Sequence, residues 1–251
     1  MGRFATTVPL YEKFRPPYPP DFFRTVAARL GFGRKHRLID LGTGPGLLAL
    51  GFAPYVGRTV GVDPEPAMLT AARQAARRAG QNLTLIEAKA EVLTEDAGQF
   101  DVVTIGRALH WMEPKATVRL FDRLVAPDGV ILICSSNSAA DSRNAWHDDY
   151  RKARDDWSGV AEGVRYGRQV AAVLAGTRFV VSETIAVEST HEVQVDELAQ
   201  RILTFSSSSP AVLGDRVQAM LWDVAQRLLP YSDAGRLSEV VVSTAQVVRE
   251  T

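Results

Sequence analysis

"RLIDLGTGPGLLAL", Arg37 to Leu50, packs three glycines into five residues between two apolar runs. The first run is short and apolar on both faces, the pattern of a strand buried in a parallel sheet. The second begins a helix. A glycine-rich turn between a strand and a helix is a place where backbone N–H groups and a helix N-terminus meet a nucleotide-like ligand.

The spacing narrows the ligand. The turn is Asp40-x-Gly42-x-Gly44-x-Gly46, whereas a dinucleotide turn, G-x-G-x-x-G, needs its third glycine where Leu47 stands. A P-loop needs a closing Gly-Lys-Ser/Thr, which "GPGLLAL" lacks, so no lysine is at hand for phosphates. Asp40 at the head of the turn would repel a phosphate and favour an ammonium or sulfonium group.

Working outward, "RTVGVD" ending at Asp63, "FDVVTIG" ending near Gly106 and "GVILICSS" ending near Ser135 repeat the buried-strand pattern, with a weaker run in "LTLIEAK". Helical patterns alternate with them. "PEPAMLTAARQAARRAG" opens on prolines suited to a first turn and stops at Gly80. "EPKATVRLFDRLV" sets Val118, Phe121, Leu124 and Val125 on one face before "APDG" turns the chain. Strand–helix alternation predicts an open, doubly wound parallel sheet with ligands at the strand C-termini. Further on, "FVVSETIAVEST" and "HEVQV" are expected as a strand pair, and "VDELAQRILTFSS" and "DRVQAMLWDVAQRLL" as helices.

Asp63 ends the second strand, where a carboxylate is placed to accept both hydroxyls of a ribose. It also suits an N-cap for the helix that follows, and the two roles are compatible.

Composition bounds the remaining classes. The chain has 251 residues, enough for one well-buried α/β domain, and 46% of them are apolar. Its 29 basic and 29 acidic residues cancel, which gives no electrostatic reason to expect nucleic acid or an anionic membrane as partner. "MGRFATTVPLYEKF" carries no apolar signal core, so a cytoplasmic protein is expected. The lone cysteine, Cys134, excludes an internal disulfide and lies in an apolar run, as an inert buried thiol would. The four histidines lack metal-ligand spacing, so no metal is expected.

These residues resemble class I S-adenosylmethionine (SAM)-dependent methyltransferases. "LIDLGTGPG" looks like their first motif, "VGVDPEPAML" their second, "FDVVTIGRALHWM" their fourth-strand motif and "RLVAPDGVILI" the L-x-P-G-G segment. "YEKFRPPYP" and the His110–Trp111 pair look like the small-molecule branch that includes trans-aconitate methyltransferase. The resemblance covers about Tyr11 to Ser135. It implies a Rossmann-like, seven-stranded, mostly parallel sheet with helices on both faces and a helical cap, residues 137–178, inserted after the fifth strand. The whole chain, 1–251, would be one methyltransferase domain, with 1–36 as a lid arm and first helix. The cofactor implied is SAM, with S-adenosylhomocysteine (SAH) as product, in a monomer or homodimer.

Carried over by position, Asp40, Gly42, Thr43, Gly44 and Gly46 would cradle the methionine and ribose of SAM. Asp63 would hold the ribose, and Pro64 and Met68 would flank the adenine, with Gly106 beside the cofactor. In "EAKAEVL" the family's adenine-binding Asp is replaced by Lys89, which cannot accept a hydrogen bond. The resemblance then implies that this side-chain contact is either absent or taken over by Glu91 or backbone, with the Ala90 N–H left to meet the ring. Tyr11 and Arg15 are candidates for the SAM carboxylate or an acidic acceptor group, since the guanidinium fork suits carboxylates; the alternative is a proline-stiffened surface arm.

Methyl transfer from a sulfonium needs positioning and dryness more than acid–base help, and a base only where the acceptor carries a proton. His110 is the candidate base or substrate-orienting group, with a turn-capping role as its alternative. Trp111, Trp146, Phe205 and His191 are candidate substrate contacts, and Arg107, Arg143, Arg165 and Arg168 leave an acidic substrate open. The expected reaction is methylation of an O or N atom of a small metabolite. A non-catalytic SAM-binding protein and a nicotinamide-dependent dehydrogenase are the competing readings, the latter opposed by Leu47.

Overall fold

The buried run 37–41 forms the centre of the sheet. In the computed structural model, which describes residues 8–94, 97–158 and 170–251, β1 (Arg37–Leu41) lies between two parallel neighbours, β2 (Arg58–Asp63) and β4 (Phe100–Gly106). Ile39 aligns with Val60 on one side and Val103 on the other. β3 (Thr84–Glu87) pairs in parallel outside β2, and β5 (Val125–Ser138) outside β4. With β6 (Phe179–Gln194) and β7 (Arg236–Glu250) the order is β3-β2-β1-β4-β5-β7-β6. Connections run one way from β1 to β3 and the other way through β4, so the sheet reverses between β1 and β4. In open α/β sheets that reversal opens a crevice at the strand C-termini.

The helices follow the apolar spacing. α1 (Val8–Phe14) precedes α2 (Pro20–Leu30), which buries Phe22, Phe23, Val26 and Ala27. α3 (Leu47–Phe52) leaves the glycine turn, and α4 (Pro66–Arg78) packs Met68, Leu69, Ala72 and Ala76 inward. α5 (Pro114–Leu124) buries Thr117, Leu120, Phe121 and Leu124; Val118 is only half-buried, and Val125 already belongs to β5. Next come α6 (His147–Trp157), α7 (Val170–Leu174), α8 (Val195–Ile202), α9 (Pro210–Leu213) and α10 (Val217–Leu228).

The chain divides into two compact units. The sheet unit comprises Tyr18–Ser135, Tyr166–Val187 and Ser243–Thr251, and the helical unit Met1–Pro17, Ser136–Arg165 and Glu188–Val242, so far as these are described. The sheet unit holds two apolar layers, one around Ile39, Val60, Val103 and Phe121, the other around Phe22, Leu38, Phe52 and Leu132. Cys134 is buried in the second of these, and desolvation raises its thiol pKa, as an inert side chain requires. The helical unit has its own core around Trp146, Tyr150, Leu198, Ile202, Met220 and Val224.

Two expectations change here. The span 137–178 is not one insert: α6 belongs to the helical unit and α7 to the sheet unit, and the helical unit also takes α1 and α8 to α10. The expected strand pair at 179–195 is one continuous strand, β6, because "FVVSETIAVESTHEVQ" has no glycine or proline to turn it. The missing strand is β7, whose alternate residues Leu237, Glu239, Val241, Ser243, Ala245 and Val247 are buried. Among the described residues no helix is long and apolar enough to cross a membrane.

Candidate active site

At the C-terminal edge of the sheet unit the glycine turn is tied down by β2. The Gly42 and Thr43 N–H groups both donate to the Val62 carbonyl at 2.9 Å, and Gly46 N–H donates to Thr43 O. Gly42, Gly44 and Gly46 have φ of 70°, 54° and 90°. Gly42 is constrained twice: an added Cβ would lie 2.5 Å from the Ala108 Cβ of the loop after β4. The two loops at the sheet's reversal therefore touch where only hydrogen fits.

Asp40 does not face outward toward a cation. It is 1% exposed and accepts the Thr43 hydroxyl on one oxygen and the Thr104 hydroxyl on the other, each at 2.7 Å. Burial pushes its pKa up to about 6, against the pull of those two hydrogen bonds. Asp40 thus clamps the turn onto β4, and Thr104, on a strand read only as core, is the partner the sequence did not reveal.

Asp63 accepts Gly44 N–H and Glu65 N–H at 2.9 Å, one on each oxygen. It caps the chain entering α4 and holds the turn in the same stroke. Burial raises its pKa, opposed by these two backbone donors. Each oxygen keeps a second lone pair, which is what a vicinal diol needs. Met68, buried in the first turn of α4, places its sulfur 3.9 Å from where a Gly44 Cβ would be, whereas Pro64 is exposed. Ala90 is buried at the start of a short 3-10 turn, Lys89 before it is exposed, and Glu91 accepts Glu113 N–H at 3.1 Å.

After β4 the chain passes through Gly106, where a Cβ would meet Leu48 at 2.7 Å, to Arg107 at φ 56°. A non-glycine residue in that region is held there by its surroundings. The Arg107 guanidinium lies over the Tyr18 ring at 5.3 Å. His110 and Trp111 follow with ring centroids 4.9 Å apart, Trp111 at 44% exposure.

The helical unit brings Tyr11, Arg15 and Phe205 together. The Arg15 guanidinium is 3.8 Å above the Phe205 ring and 5.4 Å from that of Tyr11, and it donates to Thr204 O at 3.2 Å. His191 lies on β6, its Nε2 buried and without a partner. Trp146, expected at a substrate surface, is instead a core residue: it is 2% exposed and its indole N–H is taken by Ser238 O at 3.1 Å. Arg143 is paired with Asp141 and Glu188. Arg165 and Arg168 lie outside the described residues. Among those described, no cluster of His, Cys, Asp and Glu could hold a metal.

Comparison with known proteins meets this geometry at the same residues. Residues 39–133 match the family model for the methyltransferase domain. This segment is similar to a methyltransferase domain. An uncharacterized methyltransferase of Mycobacterium tuberculosis is 33% identical over 129 residues, 50% of this chain and 49% of that one. The chain thus spans about half the length of the curated relatives it matches. A putative type II methyltransferase of Anaeromyxobacter dehalogenans superposes over 94% of this chain and 98% of its own, with TM-score 0.66 and 19% identity. A SAM-dependent methyltransferase of Geobacter sulfurreducens, solved with SAH, covers 100% and 99%, with TM-score 0.60 and 17% identity. The fold is that of the class I SAM-dependent methyltransferases.

Proposed function

We propose that this chain transfers a methyl group from SAM to an oxygen or nitrogen atom of a small metabolite, the whole chain acting as one catalytic domain. The observation that carries the reading is Asp63 gripping Gly44 N–H at the tip of β2, beside a turn with three left-handed glycines. The cradle fits the cofactor: it offers backbone and a diol acceptor, with no lysine for phosphates. SAM supplies a methyl on a positively charged sulfur, a leaving group already activated.

The chain's own residues supply the rest. Asp63 would accept the ribose hydroxyls, and Gly42, Thr43, Gly44, Gly46 and Gly106 leave room at the crevice. Asp40 keeps the turn in register through Thr43 and Thr104. Met68 and Pro64 would flank the adenine, with Ala90 N–H and Glu91 in place of the carboxylate that Lys89 displaces. Tyr11 and Arg15 would bind a carboxylate. His110 would orient the acceptor and take its proton where it has one, while Trp111 would contact the acceptor.

Calorimetric titration with SAH and with NAD tests the cofactor, and a metabolite extract supplied with methyl-labelled SAM tests the transfer. Binding of SAH and label appearing in a small acceptor are expected. Preference for NAD, or SAH binding with no acceptor labelled, would overturn the reading.

A further inference from the structure

In the helical unit, α10 is apolar on two sides. Met220, Val224 and Leu228 fill the unit's core. On another side Trp222 and Leu229 are exposed, and Trp222, at 67%, is the most exposed large apolar side chain among the described residues. A surface helix of a lone globular unit carries one apolar stripe, with polar residues opposite. Here a second stripe borders a groove of about 640 Å³ against α8, whose lining includes Ala199, Leu221, Trp222, Ala225 and Leu229. Single exposed apolar residues are ordinary, whereas a contiguous apolar patch marks an interaction surface.

What covers this face follows from its charge and its symmetry. Asp196 is the single charged residue lining the groove, and amides, Gln194, Gln200, Gln218 and Gln226, supply the rest of its polar lining. The two charges of α10, Asp223 and Arg227, pair with each other and with Trp157 and Asp156. A strongly acidic or basic partner finds almost no counter-charge in such a groove. An amide is donor and acceptor at once, so it pairs with its own kind. The helix also reads nearly the same in both directions. "QAMLWDVAQ", Gln218 to Gln226, is centred on Trp222, with Ala219 and Ala225 three residues to either side and Gln218 and Gln226 four. Steps of three and four keep these residues on one face. Across a two-fold axis residue i meets j and j meets i. An antiparallel copy crossing at Trp222 therefore sets Gln218 against Gln226 and Ala219 against Ala225, the alanines small enough to let the helices close.

We propose that this face of α10 joins two copies of the chain, antiparallel across a two-fold axis at Trp222, each indole packing into the other copy's groove beside α8. The central indole is the kind of buried aromatic anchor that carries most of an interface's energy. The pairing does not depend on the methyltransferase reading.

Sedimentation of the full chain over a dilution series tests it. A dimer is expected, with a melting temperature that rises with concentration. Trp222→Glu brings two like charges together on the axis and should weaken the dimer about thirty-fold or more. Its far-UV circular dichroism should match the wild type, because the side chain it replaces is exposed. Cross-linking reads the pairing geometry without touching Trp222. Within one helix positions 218 and 226 lie about 12 Å apart, too far for a disulfide, and Cys134 is buried. Gln218→Cys mixed with Gln226→Cys should therefore give a covalent dimer under mild oxidation, and either variant alone should not. A chain monomeric at every concentration, a dimer indifferent to Trp222→Glu, or cross-linking by either variant alone as fast as by the mixture overturns the proposal. The face would then belong to a different protein or to none.

Discussion

Thr104 on β4 donates its hydroxyl to Asp40 on β1 at 2.7 Å, stitching the two strands on either side of the sheet's reversal through a buried carboxylate. We predict a stability that depends on pH through this one group. Its pKa stands near 6 when folded and near 3.8 when unfolded, so between those values the folded state holds a proton the unfolded state has lost. Its contribution is therefore full below pH 3.8 and lost as pH rises through about 6, a loss of about 3 kcal/mol. Asp40→Asn keeps the shape and can serve both hydroxyls. Urea unfolding across that window should show the variant gaining on the wild type as pH rises; a constant difference would mean the carboxylate is not strained by burial.

Asp63 lies at the junction of turn and helix, and Asp63→Ala is predicted to weaken SAH binding about ten-fold or more, the loss of a charge-assisted hydrogen bond. Asp63→Asn, which keeps one acceptor oxygen for Gly44 N–H, should lose less. Calorimetric titration decides it. A folded Asp63→Ala protein with wild-type affinity would remove this residue from the cofactor site.

Gly42→Ala must place a methyl 2.5 Å from the Ala108 Cβ at a φ of 70°. Strain of about 1–3 kcal/mol is expected, with the loops after β1 and β4 pushed apart. The variant should melt lower and bind SAH weakly. Gly80→Ala is the control: it shares a positive φ, 62°, but has open space around it. It should lose stability without losing SAH. Equal SAH affinities in the two variants would show that the contact with Ala108 is irrelevant to the cradle.

How much of this was legible in the sequence follows from how local each signal is. β1 to β4 and the helices after them announce themselves through short apolar runs and caps within a few residues, and the glycine spacing marks the turn that Asp63 holds through Gly44 N–H. β7 has an equally regular alternation in "RLSEVVVSTAQVVRE" but no glycine-rich turn beside it to demand a reading. What was not legible depends on distant pairing. Asp40 was expected to face a cation because its partner Thr104 is 64 residues away. Trp146 looked like a pocket residue because it sits among charges, yet its indole hydrogen-bonds to Ser238, 92 residues on.

His110 follows β4 in the loop that meets Gly42, on the edge where the cofactor is proposed to bind. We predict that His110→Ala lowers kcat by about ten-fold or more for an acceptor that must lose a proton, and changes SAH affinity less than two-fold. For an acceptor that is already an anion, kcat should hardly move. Turnover of both acceptor types with labelled SAM separates the roles: equal losses would make His110 a part of the loop's structure instead of a proton carrier.

The helical unit depends on a buried charge pair of its own. Arg201 on α8 grips Glu239 on β7 with two hydrogen bonds of 2.6 and 2.9 Å, and its Nε donates to the Phe14 carbonyl at the end of α1. Their side chains are 8% and 2% exposed. Burial drives the Glu239 pKa up, but the Arg201 bonds and charge outweigh it and the net shift is downward. The stabilisation is thus present at neutral pH and lost as pH falls below the ordinary glutamate range. Arg201→Met strands the carboxylate and releases Phe14 O, at a cost of about 3–5 kcal/mol. Arg201→Met with Glu239→Leu should recover most of that loss, because no unpaired charge remains. Urea unfolding of the wild type, both single variants and the double completes the cycle. Additive losses would show that the two charges do not depend on each other, and the release of Phe14 O would then be the whole effect.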